Sequence, residues 1–191
     1  YGQNPVTLSR TMLGLLSEAG TLKLINPNEK LLFKSKNKKI QLTGCHYFYG
    51  IDSDDKKGSY IIKKDPEIDV AIHMVHGMLL EKPFIEGIAY TLIDEILGTE
   101  ADITLSGHYH SGFATKYING KYFINPGSLV RINNSISELS RKPKVVILTI
   151  EDEIKVEEIP LKSALPGEEI LDRSKVEALA FREKKLSDFI Q

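Results

Sequence analysis

Three of the five histidines in the chain stand where a metal site or a catalytic site could form. His76 ends a predicted buried strand, and His108 and His110 follow Gly107 at the end of the next one. Sites in open α/β sheets form at the carboxyl ends of strands, and neutral imidazole is the commonest metal ligand. In an extended segment, residues two apart point to the same side, so His108 and His110 could serve one ion or two neighbouring ions.

The strands that must position these histidines follow from the hydrophobic pattern. Residues 69–76 and 101–107 are mostly apolar, which predicts two buried strands, and the second half of residues 83–98 has helical periodicity. A strand, a helix and a strand in this order resemble a βαβ unit and predict adjacent parallel strands. His76 and His108 are therefore expected at the same edge of one sheet.

The rest of the pattern predicts an α/β fold with a mixed sheet and flanking helices. Asn119-Gly120 predicts a type I′ turn, which would join residues 114–118 and 121–125 in a hairpin. Further strands are predicted at residues 21–25, 30–34, 39–44, 145–150 and 153–159, and helices at residues 6–19 and 168–190.

Composition limits the class of protein. The chain has 191 residues, which suits one domain with a small appendage. Its net charge of −1 gives no overall electrostatic attraction to nucleic acid or membrane. Cys45 is the single cysteine, which excludes an internal disulfide and a zinc–thiolate cluster. With no apolar run long enough for a membrane span and no signal-peptide pattern, a reducing, cytoplasmic setting is expected.

The histidine motifs resemble those of a known family. Val75-His76-Gly77, then Gly107-His108-Tyr109-His110, then Asn125-Pro126-Gly127-Ser128 resemble the last motifs of the calcineurin-like binuclear metallophosphoesterases. The resemblance implies part of that family's four-layer sandwich, with residues 1–160 in its C-terminal part and residues 161–191 as a charged helical extension. It also implies that His76 and His108 bind one metal ion and that His110 binds the other.

The implied activity is metal-dependent phosphoester hydrolysis with two divalent ions of manganese, iron or zinc. The substrate stays open between a phosphodiester, a nucleic acid and a phosphomonoester, and no catalytic or substrate-binding residue is assigned. The rival interpretation is a non-catalytic binding or scaffold protein on the same fold.

The departure from the family lies upstream. The family also needs Asp-x-His, Gly-Asp-x-x-Asp and Gly-Asn-His, and no Gly-Asp or Asn-His dipeptide occurs in this chain. Residues 1–5 resemble the segment directly after the last of these motifs, so the chain is interpreted as a C-terminal half with partial metal occupancy and little activity alone. Such a half should expose an apolar face and a sheet edge, to be covered by the missing N-terminal half or by a second copy in a symmetric dimer.

Other polar residues have simpler explanations. His73 should face away from His76, and His46 has no second cysteine nearby, so both are interpreted as structural. Residues 125–128 are equally compatible with an ordinary turn and with a buttress for the metal loop or a surface facing substrate. Tyr109 should point away from the ligands, towards substrate or packing.

Charge is uneven along the chain. Residues 30–64 hold nine lysines against three aspartates, which would suit a polyphosphate or nucleic acid, although a solvated face is the favoured interpretation. Residues 151–191 hold eleven acidic and seven basic residues, as expected of a solvated helix or a docking tail.

Overall fold

The computed structural model describes residues 9–132 and 134–190. They divide into two compact units, the first holding residues up to 108 together with 115–124, and the second holding residues 109–114 and those from 125 onward. The expected boundary between residues 160 and 161 stays a prediction.

The described elements are ten strands, four helices and two 3₁₀ turns. The strands are β1 (Lys30–Ser35), β2 (Lys38–Cys45), β3 (Val70–Val75), β4 (Leu79–Leu80), β5 (Thr91–Leu92), β6 (Ile103–Ser106), β7 (Phe113–Ile118), β8 (Lys121–Asn125), β9 (Lys144–Ile150) and β10 (Ile154–Pro160). The helices are α1 (Met12–Glu18), α2 (Ile136–Ser140), α3 (Gly167–Ile170) and α4 (Arg173–Ile190), and the 3₁₀ turns are Lys57–Tyr60 and Ile93–Ile96.

A six-stranded mixed sheet carries the first unit. Its strand order is β1-β2-β3-β6-β8-β7, with β2, β3, β6 and β8 parallel and β1 antiparallel to β2. The predicted mixed α/β class and the predicted adjacency of the two histidine-bearing strands are confirmed. Because Val75 of β3 pairs with Ser106 of β6, both strands end at the same edge.

Burial on both faces explains why the central strands could be recognised. Ala71, Val75 and Ile103 are at most 3% exposed. The sequences of these strands are therefore apolar runs in which polar and apolar residues do not alternate. The hairpin is confirmed as well, with φ values of +52° at Asn119 and +80° at Gly120, as a type I′ turn requires.

Other predicted elements are also confirmed in the described part of the chain. β9 and β10 pair antiparallel, and α4 covers most of the predicted C-terminal helix. The predicted first helix begins only at Met12, where Thr11 accepts a hydrogen bond from the Gly14 N–H at 3.1 Å. Residues 6–8 of that prediction lie outside the described residues.

Two predicted elements are wrong. The helix within residues 83–98 is replaced by β5 and a single 3₁₀ turn, because Thr91 and Leu92 pair with β4. Ile93 and Ile96 are both buried, and a spacing of three suits a 3₁₀ turn as well as a helix. The predicted strand at residues 21–25 is unpaired in the described sheets; its Ile25 packs directly against Gly44 of β2.

No helix among the described residues is long and apolar enough to cross a membrane.

Candidate metal centre

Three aromatic side chains meet where β2, β3 and β6 end. The His76 and His108 ring centres are 5.4 Å apart, with the ring planes at 70° to each other. Tyr47, two residues beyond β2, stacks on His108 at 4.9 Å and lies 6.2 Å from His76 with its ring edge-on. The two histidines that the sequence analysis assigned to one ion are therefore neighbours in the fold.

The backbone holds both imidazoles at this edge. The His76 N–H donates to the Cys45 carbonyl at 2.9 Å, and the Gly107 N–H donates to the Val75 carbonyl at 3.1 Å. A Cβ atom at residue 107 would lie 3.2 Å from His76 Nδ1, so a glycine there keeps space beside the His76 ring.

His108 has a left-handed backbone conformation, with φ of +66°. Histidine is among the few non-glycine residues enriched in that region, which nevertheless costs about 1 kcal/mol or more. Such strain persists where the surroundings enforce it, and it clusters at functional sites. The conformation is therefore consistent with a functional role for His108.

The pair fits one divalent ion. Imidazole nitrogens lie about 2.0–2.1 Å from zinc, which places two ring centres on one tetrahedral ion roughly 5 Å apart. Both rings are exposed and accessible at the strand ends. However, no group of three or more histidine, cysteine, aspartate or glutamate residues that could hold a metal gathers in residues 9–132 and 134–190. The described residues thus offer two imidazoles, fewer than a closed site needs.

His110 lies in the second unit, and its assignment to a second ion stays a prediction. Its carbonyl accepts the Ser128 N–H at 2.9 Å. Asn125 Nδ2 donates to the Tyr109 carbonyl at 3.0 Å, and Asn125 Oδ1 accepts the Gly127 N–H at 2.9 Å. Residues 125–128 therefore buttress the loop that carries His110, and a metal-binding role for that loop stays a prediction.

Close packing explains the glycine in that turn. Gly127 has φ of +80°, and a Cβ atom on it would lie 2.7 Å from the His110 carbonyl oxygen. A larger residue would have to push the His110 loop away.

A buried ion-pair network contacts the turn at residues 125–128. Glu138 accepts two hydrogen bonds of 2.8 Å from Arg141, whose Nη1 also donates to the Ser128 carbonyl at 2.6 Å. Arg131 donates from Nε to the Glu138 carbonyl at 3.1 Å and from Nη2 to the Arg141 carbonyl at 2.9 Å. The network thus ties α2 to the turn that holds the His110 loop.

His73 lies on the buried part of β3. Its Nε2 donates to the Ser59 carbonyl at 2.9 Å, which leaves Nδ1 to accept from the Thr43 hydroxyl at 2.9 Å. Both nitrogens are thus used within the protein, which supports the structural interpretation of this histidine. Burial raises the pKa of the Cys45 thiol, which favours its protonated form in the folded chain.

The burial of His73 predicts a pH dependence of stability. Burial lowers the pKa of His73 below its usual value of about 6.5, so the unfolded chain binds the proton more readily than the folded chain. Neutral His73 therefore makes its full contribution to the free energy of unfolding above about pH 6.5. This contribution is lost as the pH falls through the lowered pKa. We expect His73→Gln to flatten the fall in unfolding free energy between pH 7 and pH 5, measured by urea titration. Equal slopes in the two proteins would contradict this.

Tyr47, which lies beside both histidines, was not predicted from the sequence. The available signal was its place two residues after a strand that runs parallel to the two histidine-bearing strands. His46, which precedes it, is exposed, and its predicted structural role stays untested.

The lysine-rich segment is largely neutralised by carboxylates. At least six of its nine lysines form ion pairs. Five of these pairs involve acids beyond residue 64: Lys30 with Asp65, Lys39 with Glu67, Lys57 with Glu95, Lys63 with Glu100 and Lys64 with Asp102; Lys56 pairs with Asp55. This pairing favours the solvated face over a nucleic-acid surface.

No family model and no curated protein matches the chain. Several solved structures resemble it, among them the following two. One is a 5'-nucleotidase candidate from Staphylococcus aureus in complex with alpha-ketoglutarate, with 17% identity and a TM-score of 0.40 over 76% of this chain and 30% of that one. The other is Vps29 from Entamoeba histolytica complexed with zinc, with 20% identity and a TM-score of 0.27 over 72% of this chain and 63% of that one. The chain thus spans less than two thirds of either structure, and its function is inferred from its own residues.

Proposed function

We propose that this chain contributes metal ligands to a metal-dependent phosphoester hydrolase. The observation that carries the proposal is the pair of imidazoles, 5.4 Å apart, at the carboxyl ends of adjacent parallel strands. His76 and His108 would hold one divalent ion of manganese, iron or zinc, and His110 would hold a second.

Divalent ions in such a site lower the pKa of bound water and neutralise charge on phosphoryl oxygens. The chain's own residues have simpler tasks. His76 and His108 donate ring-nitrogen lone pairs, and Tyr47 orients His108 by stacking on it. In the proposed hydrolase, carboxylate ligands outside this set would complete the coordination of the ions.

The second candidate is a non-catalytic binding or scaffold protein. The observation that favours it is the small ligand set, since only two imidazoles gather at the strand ends of the described chain. The coding sequence upstream of Tyr1 discriminates between the candidates. Intact aspartate and Gly-Asn-His motifs there favour the hydrolase, and their absence favours the scaffold.

An activity assay tests the proposed function in both contexts. The 191-residue chain with manganese should hydrolyse a model phosphodiester no faster than its His76→Ala/His108→Ala/His110→Ala variant. The same triple change in the protein encoded by the complete reading frame should abolish metal-dependent hydrolysis. Robust turnover by the short chain, lost in the triple variant, would show that the missing motifs are not required. Full activity in the altered complete protein would contradict the proposed function.

Self-association is expected from the exposed apolar residues of the first unit. On α1, Met12, Leu13, Leu15 and Leu16 are 69%, 37%, 56% and 38% exposed, although apolar helix faces are normally packed. We propose that a second copy covers this face in a symmetric dimer.

Light scattering at micromolar concentration, with mass spectrometry to detect any retained fragment, should therefore give the mass of a dimer. Replacing Met12 and Leu15 with glutamate should shift the population to monomer. A monodisperse, soluble monomer of the unaltered chain would contradict the half-domain interpretation.

A further inference from the structure

A buried carboxylate lies beneath the turn that carries His76. Asp52 is 7% exposed. Its Oδ1 accepts hydrogen bonds from the Tyr60 hydroxyl and, at 2.8 Å, from the Thr91 hydroxyl. Its Oδ2 accepts the Met78 N–H at 2.9 Å. A carboxylate this deeply buried is stable only with such partners.

These contacts fix the backbone on both sides of Gly77. The Met78 N–H is bound by Asp52, and the Met78 carbonyl accepts the Thr91 N–H at 3.0 Å. On the other side of Gly77, the His76 N–H is bound by the Cys45 carbonyl at 2.9 Å. The turn that follows β3 is therefore held at three backbone positions, one of which depends directly on Asp52.

Tyr60 completes the support for this turn. Its side chain is fully buried, and a Cβ atom on Gly77 would lie 1.9 Å from the Tyr60 hydroxyl oxygen. Burial and the neighbouring carboxylate raise the pKa of Tyr60 far above its usual value, so its hydroxyl remains a donor to Asp52. Asp52 thus also holds the Tyr60 ring close to residue 77. Only a glycine at that position leaves room for the ring.

We propose that Asp52 is a positioning residue for the metal centre, which sets the His76 imidazole by fixing the turn from His76 to Met78. The proposal rests on the proposed function, in which His76 is a metal ligand. The loss of a group that orients a metal ligand typically lowers metal affinity by about 10- to 100-fold.

Asp52→Asn is the most informative change, because it keeps the shape and alters one atom. An amide oxygen that keeps the hydroxyl groups as donors leaves the amide nitrogen facing the Met78 N–H, so that two donors oppose each other. Asp102→Asn is the matched control. Asp102 Oδ2 accepts the Ala71 N–H at 2.7 Å near the other end of the same strand, β3, so its loss perturbs the strand away from His76.

Zinc affinity by calorimetry and amide hydrogen exchange test the proposal together. Asp52→Asn should weaken zinc binding by about tenfold or more and speed exchange at Met78. Asp102→Asn should speed exchange at Ala71 but leave zinc affinity within about twofold. Tyr60→Phe keeps the bond from Asp52 to Met78 but removes the hydroxyl that donates to Asp52 Oδ1. It should weaken zinc binding by less than the tenfold expected of Asp52→Asn, and it serves if Asp52→Asn does not fold.

The outcomes separate the two hypotheses. Unchanged zinc affinity in folded Asp52→Asn would overturn the positioning role, and so would an equal loss of affinity in Asp102→Asn. If Asp52→Asn does not fold, unchanged zinc affinity in Tyr60→Phe would overturn it. Unchanged affinity in His76→Ala would contradict the proposed function itself.

Discussion

Replacing Glu138 with alanine is expected to lower the free energy of unfolding by about 3–5 kcal/mol. The side chains of Glu138, Arg141 and Arg131 are only 3%, 8% and 9% exposed, so the change removes the carboxylate that both buried guanidinium groups contact among the described residues. Arg141 also donates to the Ser128 carbonyl, so its displacement should loosen the turn beneath the His110 loop.

Urea unfolding followed by circular dichroism measures this loss. Glu158→Ala is the control, because the Lys144–Glu158 pair lies in the same unit with side chains 22% and 29% exposed. A pair that reaches solvent contributes about 1 kcal/mol or less. If Glu138→Ala costs no more than Glu158→Ala, the network does not stabilise the second unit as described.

Replacing His108 with alanine is expected to abolish divalent-metal binding by the chain. The unaltered chain should bind manganese or zinc weakly at no more than one site, because the pair at the strand ends supplies two ligands and a stable site needs three or four. Removing one imidazole leaves a single ligand. At the protein concentrations of a calorimetric titration, one imidazole does not displace water from the ion.

Calorimetric titration of the two proteins tests this expectation. His46→Ala is a suitable control, since His46 is exposed at the end of the neighbouring strand but is interpreted as structural. It should bind metal as the unaltered chain does. Tight binding of two equivalents by the unaltered chain would contradict the interpretation that ligands are missing.

The central strands were predictable because burial dictates their composition. β3 and β6 lie inside the sheet, where both faces exclude water, so their sequences are mostly apolar and their ends are marked by glycine and histidine. The hairpin was predictable for a different reason, since Asn119-Gly120 satisfies a backbone requirement that few other pairs meet.

The connection between β3 and β6 was not predictable in the same way. Ile93 and Ile96 have the spacing of a helix, but the pairing of Thr91 and Leu92 with β4 uses the residues that a longer helix would need. Strand pairing between segments that are distant in sequence leaves no local signal, so periodicity alone could not detect it.

The histidines of the candidate site were predictable, but their supports were not. Strand-end histidines are visible in the sequence, whereas Asp52 resembles the solvated aspartates at 54 and 55 beside it. Its burial depends on Tyr60, Thr91 and Met78, which the fold brings to it. Tyr47 likewise becomes a site residue only when the parallel order of β2, β3 and β6 is known.

X-ray absorption at the zinc edge tests the central claim most directly, because it reports which atoms surround the ion. The chain loaded with one equivalent of zinc should show two imidazole nitrogens at about 2.0–2.1 Å. His76→Ala and His108→Ala should each lose one of them, and His46→Ala should keep both. A spectrum without imidazole ligands, or one that neither His76→Ala nor His108→Ala changes, would contradict a metal centre at the ends of β3 and β6.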